Sequence, residues 1–544
     1  MFLIFQEIFY SNNILIDFAL HPFNICEKYP DLWNFIKITF TLSYLFSSFI
    51  FSNFIYSNLI KKLFNKSPKK LNNNSKIALN SLNLLIGENS NNSKIYIPES
   101  GLYQNFLITG TIGSGKTSSA MYPFTEQLIK YNSAHPKDKI GMLILDVKGN
   151  YYLQTKKYAE KYNLLDDLII IELNSNIKYN PLHKPNLKPH ILANRLRTIL
   201  ELFSENNQES YWLDKSETII GECIKLCRLY NSGYVTFDEI HKLVTSQEYF
   251  KEKINIIRNL FMKSAFSFKE IYDLNTSLDF FQKEFYSLDQ RTISILKSEI
   301  TRITNTFVND YDVFKTFCPL ESELNFNGFS EVINSGKIVV LNMNISEYKS
   351  LSKIIAAYLK LDFQTEIMTN LSKNNIKKTA FICDEYSEYV TKTDSNFFSL
   401  SREAKCINII STQSYSSIKN TLHDETSSKV IIQNLINKLW FRTDDIFTIE
   451  EAQKQLGKEE KTKISKSISE NAKSTNFSYL TNSLNSHDSS LSETYNTYTQ
   501  NDFIYDTNFF TINLETFSCL AFLSNGNKIL KPEKIKTFPY FLNN

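Results

Sequence analysis

No C-x-x-C pair and no Cys/His cluster occurs anywhere in the 544 residues, and the seven cysteines (Cys26, Cys223, Cys227, Cys318, Cys383, Cys406 and Cys519) are scattered. Such spacing argues against a zinc module and against a disulfide framework, so they read as reduced, mostly buried thiols of a chain facing a cytosol. Cys223 and Cys227 stand one helical turn apart, which suits a core-facing helix better than a metal site. An excess of either charge is also missing: 60 Lys and Arg face 57 Asp and Glu, a formal net charge of +3. Any contact with nucleic acid must then use local patches, and no DNA-reading motif is visible. The N-terminus has no basic start and no small-residue cleavage site, which argues against a removed signal peptide. Glycine is scarce at 13 residues, yet Gly110, Gly113 and Gly115 fall within one short stretch. No proline lies between Pro189 and Pro319.

What the chain has is apolar mass. Hydrophobic residues make up 42% of it, enough for a sizeable core. Residues 38–60, ITFTLSYLFSSFIFSNFIYSNLI, carry no charge and are long enough to cross a bilayer core, which takes about 20 helical residues. KKLFNKSPKK follows at once, and its lysines put the rest of the chain on the cytoplasmic side. Residues 1–20 are apolar too but carry Glu7 and Asp17, so they read either as a first spanning helix or as an interfacial amphipathic one. Residues 61–94 are rich in Asn, Ser and Lys and look like a tether. Further on, helical periodicity runs through 191–330, while KIVVLNMN (337–344), TAFICDEY (379–386) and CINIISTQ (406–413) have the pattern of buried parallel strands. Residues 462–502 are dominated by Ser, Asn and Thr and read as a linker or long loop, and FSCLAFLSNGNKIL beyond them as a strand pair. The basic-aromatic LFMKSAFSFKE reads as an amphipathic helix face rather than a base-stacking platform.

The strongest local signal is FLITGTIGSGKTSS, where Gly110, Thr111, Gly113, Ser114, Gly115, Lys116, Thr117 and Ser118 follow a strand and precede a helix. That is a P-loop in its required context: the glycines let backbone N–H groups point at phosphate, Lys116 reaches the β and γ oxygens, and Thr117 ligates Mg2+. ATP with Mg2+ is the expected ligand pair. Two apolar runs end in an acid, LILDVKGNYY at Asp146 and FICDEYSEYV at Asp384. Hydrolysis needs one carboxylate for the metal and usually a second for the attacking water, and only Asp384-Glu385 offers both. Asp384 is assigned to Mg2+ and Glu385 to the water, with LILDVKG as a neighbouring strand. Gln413, at the end of the next strand, reads either as a γ-phosphate reporter or as an ordinary turn residue, and Arg402 either as a phosphate contact for an adjoining subunit or as a surface ion pair.

Taken together, the P-loop, the LILDVKG stretch soon after it, YNPL at 179–182, Tyr211-Trp212 and the spacing from Arg402 to Gln413 resemble the TraG/TraD family of type IV secretion coupling proteins. Val147 and Asn150 depart from that family's usual proline and acid. The resemblance implies a RecA-like α/β fold with a mainly parallel sheet, an inserted all-α domain and an N-terminal transmembrane helical anchor. The implied layout is an anchor over 1–70, a tether over 71–94, a nucleotide-binding domain split into 95–190 and 331–461, the all-α insertion over 191–330, the linker over 462–502 and closing strands over 503–544. It further implies an inner-membrane homo-hexamer that hydrolyses ATP, with Arg402 completing a neighbour's site. Its partners would be single-stranded DNA bound without sequence preference, relaxase and relaxosome proteins, and channel components. The rival readings are another hexameric DNA translocase, a secretion-channel ATPase, or a non-hydrolysing docking receptor.

Overall fold

The computed structural model describes residues 30–55, 81–203, 210–263, 266–372, 376–470, 475–478, 483–486 and 491–542. The chain divides into two units, Met1–Ser81 and Leu82–Asn544. In the first unit a helix spans Pro30–Ile55, opening on a proline whose missing N–H is no loss in a first turn. Thr39 and Thr41 return their hydroxyls to carbonyls four residues back, at 2.8 and 2.7 Å. The expected span 38–60 coincides with this helix only as far as Ile55, and residues 56–60 lie outside the described ones. Among the described residues no helix is long and apolar enough to cross a membrane. The expected pair of spanning helices therefore has no counterpart there, and its first member, residues 1–20, lies outside them altogether.

The second unit is built on one eleven-stranded sheet. In chain order its strands are β1 (Asn83–Asn89), β2 (Lys94–Pro98), β3 (Phe106–Thr109), β4 (Gly141–Leu145), β5 (Leu168–Ile171), β6 (Ile338–Leu341), β7 (Thr379–Cys383), β8 (Cys406–Thr412) and β9 (Asn437–Phe441), with four intervening strands lying outside it and β14 (Ser518–Phe522) and β15 (Glu533–Lys536) closing it. Across the sheet the order is β2-β1-β15-β14-β9-β3-β8-β7-β4-β6-β5. From β9 to β5 all neighbours are parallel, and from β14 to β2 they are antiparallel. This is the mainly parallel α/β sheet expected, with an antiparallel flank added by the chain's two ends.

The parallel strands are buried on both faces, which is why they read as unbroken apolar runs. Alternate residues divide between two cores: Leu107, Leu143 and Leu145 join one, Phe106, Ile108, Met142 and Ile144 the other. The second core is covered by helices Tyr122–Ala134 and Tyr151–Lys161. The first is shared with the helices inserted between β5 and β6, from Pro189–Glu201 to Tyr311–Phe317. Cys223 and Cys227 lie fully buried in it, on the helix Ser210–Tyr230. Helix starts in the insertion are set by short polar caps: Thr236 accepts from Glu239 N, Ser267 forms a reciprocal box with Glu270, and Asp289 accepts from Thr292 N.

Helix Ser350–Thr369 binds this insertion to the sheet through buried charge. Asp362 accepts from Arg195 at 2.8 Å and Tyr179 at 2.6 Å and pairs with Lys184 at 2.9 Å. Two residues earlier, on the other side of the helix, Lys360 donates to Asp394 at 2.6 Å and to the Tyr389 carbonyl at 2.6 Å, all of it buried. Removing one partner of such a pair leaves a buried charge bare, which costs about 3–5 kcal/mol.

One segment differs from its reading. Most of residues 462–502, expected as a linker, belongs to a long antiparallel ribbon of β10 (Lys458–Glu470) and β13 (Leu491–Phe503), with the short pair β11 (Thr475–Ser478) and β12 (Ser483–Ser486) between them. Its backbone groups are satisfied across the ribbon while its side chains stay in water, so there was no apolar period to betray it. Ile464, Ile468, Tyr495 and Tyr498 are exposed on it.

Candidate nucleotide site

β3 ends at the carboxyl edge of the parallel strands, where ligands of such sheets sit. From there Gly110–Lys116 turn over the edge into a wide first helical turn, Thr117–Met121. The loop is pinned on both sides: Gly110 N donates to the Gln413 carbonyl at the end of β8, Thr111 N to the Arg442 carbonyl after β9. Ser114 and Ser118 turn their hydroxyls back onto loop carbonyls, Thr111 O at 2.8 Å and Gly115 O at 3.3 Å. Gly113 has φ +79° and open space beside it. Gly115 is forced, because its φ is +98° and a Cβ there would lie 2.5 Å from the Phe517 ring. Phe517 N in turn donates to Ser114 O at 3.1 Å, so the closing strand region clamps the loop from outside.

Lys116 is buried and donates from Nζ to the carbonyls of Gly110 and, at 3.3 Å, Thr111. Burial pushes its pKa down, and Glu385 and Asp384 pull it back. Beside it Thr117 Oγ1 donates to Asp384 Oδ2 at 2.9 Å. The other carboxylate oxygen accepts from Ser411 Oγ and, at 3.2 Å, from Glu385 N. Glu385 itself has φ +50°, a left-handed conformation that strains a side-chain-bearing residue and marks the turn. Burial first, and then Asp384, hold its carboxyl above the usual carboxylate range, opposed by Lys116, Lys148 and a hydrogen bond with Gln413. One strand, β8, separates the P-loop strand from β7, so Asp384 and Gln413 come from adjacent strand ends.

Asp146, at the end of β4, is used differently. Its oxygens accept from the backbone N–H groups of Lys148, Asn150 and Tyr151 at 3.2, 3.0 and 3.2 Å. Burial and then Asp384 raise its pKa, and those backbone bonds oppose the rise. Asp146 therefore shapes the turn into the helix Tyr151–Lys161.

The P-loop residues, Asp384, Glu385 and Gln413 thus converge, and Arg402 does not join them. It is exposed in the turn that leads into β8 from its amino end, whereas the loop lies at the carboxyl ends, about 20 Å away along a strand of this length. Sequence reasoning missed Ser411, whose signal was a hydroxyl near the carboxyl end of a buried strand. It also missed Phe517, distant in the chain and without any signal, as well as Lys148 and Arg442. A cleft of about 820 Å³ is lined by Thr111, Ile112, Gln413 and Arg442, and a second of about 400 Å³ by Lys148, Glu385, Glu388 and Gln413. Gln413 and Ser417 line both.

The donor set fits Mg2+. This small cation takes oxygen ligands and keeps most of its coordination for water and phosphate, and here it would meet one hydroxyl and one carboxylate, Thr117 and Asp384. Among the described residues no group of three or more His, Cys, Asp or Glu gathers to make an all-protein cage.

Residues 378–502 match the family described as the TraM recognition site of TraD and TraG. No curated protein matches the chain. Among solved structures it is similar to the unbound bacterial conjugative coupling protein TrwBΔN70, with a TM-score of 0.54 and 11% identity over 82% of this chain and 87% of that one. The plasmid coupling protein TrwB in complex with the non-hydrolysable GTP analogue GDPNP gives 0.54 at 11% identity over 81% and 87%. TrwB in complex with ADP and Mg2+ gives 0.52 at 12% identity over 81% and 87%. At such identities the likeness is one of fold, and the fold agrees with the RecA-like architecture that the TraG/TraD resemblance implied.

Proposed function

We propose that the chain is a conjugative coupling ATPase of the TraG/TraD type, attached to the inner membrane by its N-terminal segment, which draws relaxase-bound DNA toward a type IV secretion channel. The observation that carries the hydrolase reading is the hydrogen bond between Thr117 and Asp384 with Glu385 next in the chain, because it joins the phosphate loop to two acids with separate tasks. The coupling reading rests on the family match over 378–502 and on the likeness to TrwB. ATP and Mg2+ as the ligand pair are supported by the donor set and by the nucleotide complexes of that relative.

In this reading the loop N–H groups and Lys116 hold the β- and γ-phosphates, and Thr117 and Asp384 hold the metal, which neutralises phosphate charge. Glu385, with its raised pKa, accepts the proton of the attacking water or orients it. Gln413, which lines the same cavity as Glu385, sits where the γ-phosphate arrives and passes on its presence. Arg402, remote from its own chain's loop, acts on the site of a neighbour in a hexamer. Single-stranded DNA is taken without sequence preference, and relaxosome and channel proteins are the further partners.

The test is ATP turnover by the full-length chain in detergent, with and without single-stranded DNA across a salt series, beside Glu385→Gln. The reading expects turnover that falls roughly 10²- to 10⁴-fold in the variant while nucleotide binding survives. It also expects DNA stimulation that fades steeply with salt. Equal turnover in both forms would remove Glu385 as the base. Nucleotide binding with no turnover in either would favour a docking receptor.

A further inference from the structure

The turn Asp146-Val147-Lys148-Gly149 follows one of the two acid-ended strands, and the mechanism above leaves it without a task. It is held from three directions. Asp146 accepts from the N–H groups of Lys148, Asn150 and Tyr151. The Val147 carbonyl accepts from Ile345 N at 3.0 Å. Gly149, at φ +65°, packs so closely on Asn344 that a Cβ would lie 2.8 Å from its backbone nitrogen. Val147 packs toward the core and Gly149 has no side chain, so the side chain this turn presents to solvent beside Glu385 is that of Lys148.

We propose that Lys148 is a second cationic contact for the γ-phosphate, facing Lys116 across the cleft, and that it makes the site prefer a nucleoside triphosphate to the diphosphate. The inference rests on reading the site as one for ATP. Lys148 lines the same cavity as Glu385 and Gln413, and that cavity shares Gln413 with the cleft beside Thr111 and Ile112 at the loop's tip. A terminal phosphate leaving the loop past Thr117 and Asp384 enters this space. The ordinary alternative for an exposed lysine is a surface ion pair. Of the acids lining the cavity, Glu388 pairs with Lys353, and Glu385 makes no ion pair with Lys148 within 4 Å. Among the described residues Lys148 enters no ion pair within 4 Å.

Electrostatics point the same way. Lys148 is near enough to Lys116 to depress its pKa, and near enough to Glu385 to depress that of the acid. The two ammonium groups repel each other, and a further anion between them relieves that repulsion. The γ-phosphate is that anion, and the diphosphate lacks it. Because the backbone under Lys148 is already fixed, only the side chain's own rotamers are left to order when the contact forms.

The test measures binding of two probes, ADP and the non-hydrolysable analogue ADPNP, each with Mg2+, to the full-length chain and to Lys148→Ala and Lys148→Arg. The expected result is a loss of roughly tenfold in ADPNP affinity for Lys148→Ala with ADP affinity unchanged, and recovery of most of that loss in Lys148→Arg. The inference is overturned if ADPNP affinity does not move. It is equally overturned if ADP and ADPNP weaken together, since that is what a collapsed turn would do. Failure of the unaltered chain to bind either probe is a different result, which removes the ATP-site reading itself.

Discussion

Asp146 and Asp384 follow residues that face each other in register on neighbouring strands, Leu145 and Cys383, and both carboxylates are buried. They differ in what their oxygens touch. Asp146 is occupied by three main-chain N–H groups, whereas Asp384 is held by the hydroxyls of Thr117 and Ser411 and by one N–H. Main-chain donors of a tight turn cannot step aside without unmaking the turn. A hydroxyl can rotate and offer its oxygen to a cation. The comparison teaches that an acid at a strand end is available to a metal according to the kind of donor that holds it, more than according to its position in the sheet.

The comparison breaks most plainly at Asp384. Asp384→Ala should lower turnover by roughly 10³-fold, since it removes the carboxylate bonded to Thr117, and the three donors it leaves without that partner should lower Tm as well. Asp146→Asn should lower Tm while largely keeping turnover. Its amide nitrogen cannot accept from the turn, so at least one buried N–H loses its partner, at about 1–3 kcal/mol, seen as a lower Tm with ADP binding retained. If Asp146→Asn abolished turnover while leaving Tm alone, the assignment of the two acids would have to be exchanged.

A third variant sharpens the distinction through pH. The folded chain raises the pKa of Glu385, so between the ordinary and the raised value it holds a proton that the unfolded chain has released. That contribution to stability is full at low pH and declines as pH rises through this window. Glu385→Gln carries no such burden and should melt above the unaltered chain at about pH 8, the gap closing toward about pH 4. Turnover by the unaltered chain should rise over the same window as Glu385 loses its proton. A melting curve for Glu385→Gln that lies lower at alkaline pH would mean that the acid is stabilising where it stands.

Much of this site was legible because its chemistry is local in sequence. The P-loop spacing, the adjacent pair Asp384-Glu385 and the strand end at Gln413 each stand within a few residues, and all come together at one edge. The choice of Asp384 over Asp146 was made from the second acid alone. The donors that set the two apart were out of sight, because backbone N–H groups carry no letter in a sequence. Phe517 opens a segment legible as a strand pair, FSCLAFLSNGNKIL, and only its clamp on residue 115 was hidden, by distance in the chain. The buried pairs Lys360–Asp394 and Arg195–Asp362 leave no sign in the sequence, because their partners stand far apart in the chain until folding joins them. The ribbon of β10 and β13 went unread because its order comes from cross-strand hydrogen bonds in polar residues. Arg402 was legible only as a spacing, and that spacing puts it away from its own chain's phosphate loop.

The smallest expected effect comes from the one partner of Asp384 that can be removed without touching the phosphate loop. Ser411 Oγ donates to Asp384 Oδ1, and it is buried, so Ser411→Ala deletes a hydrogen bond without opening a sizeable space. The net worth of such a bond is about 1 kcal/mol, and Tm should fall only slightly. The carboxylate keeps Thr117 and Glu385 N, so it still points at the metal position, with one oxygen less firmly oriented. The Mg2+ concentration for half-maximal turnover should therefore rise by roughly two- to fivefold while kcat at saturating Mg2+ stays near that of the unaltered chain. No equivalent substitution exists at Asp146, where every donor is main chain. An effect of Ser411→Ala on kcat at saturating Mg2+ as large as that of Asp384→Ala would mean that the hydroxyl, rather than the carboxylate, is what the metal site depends on.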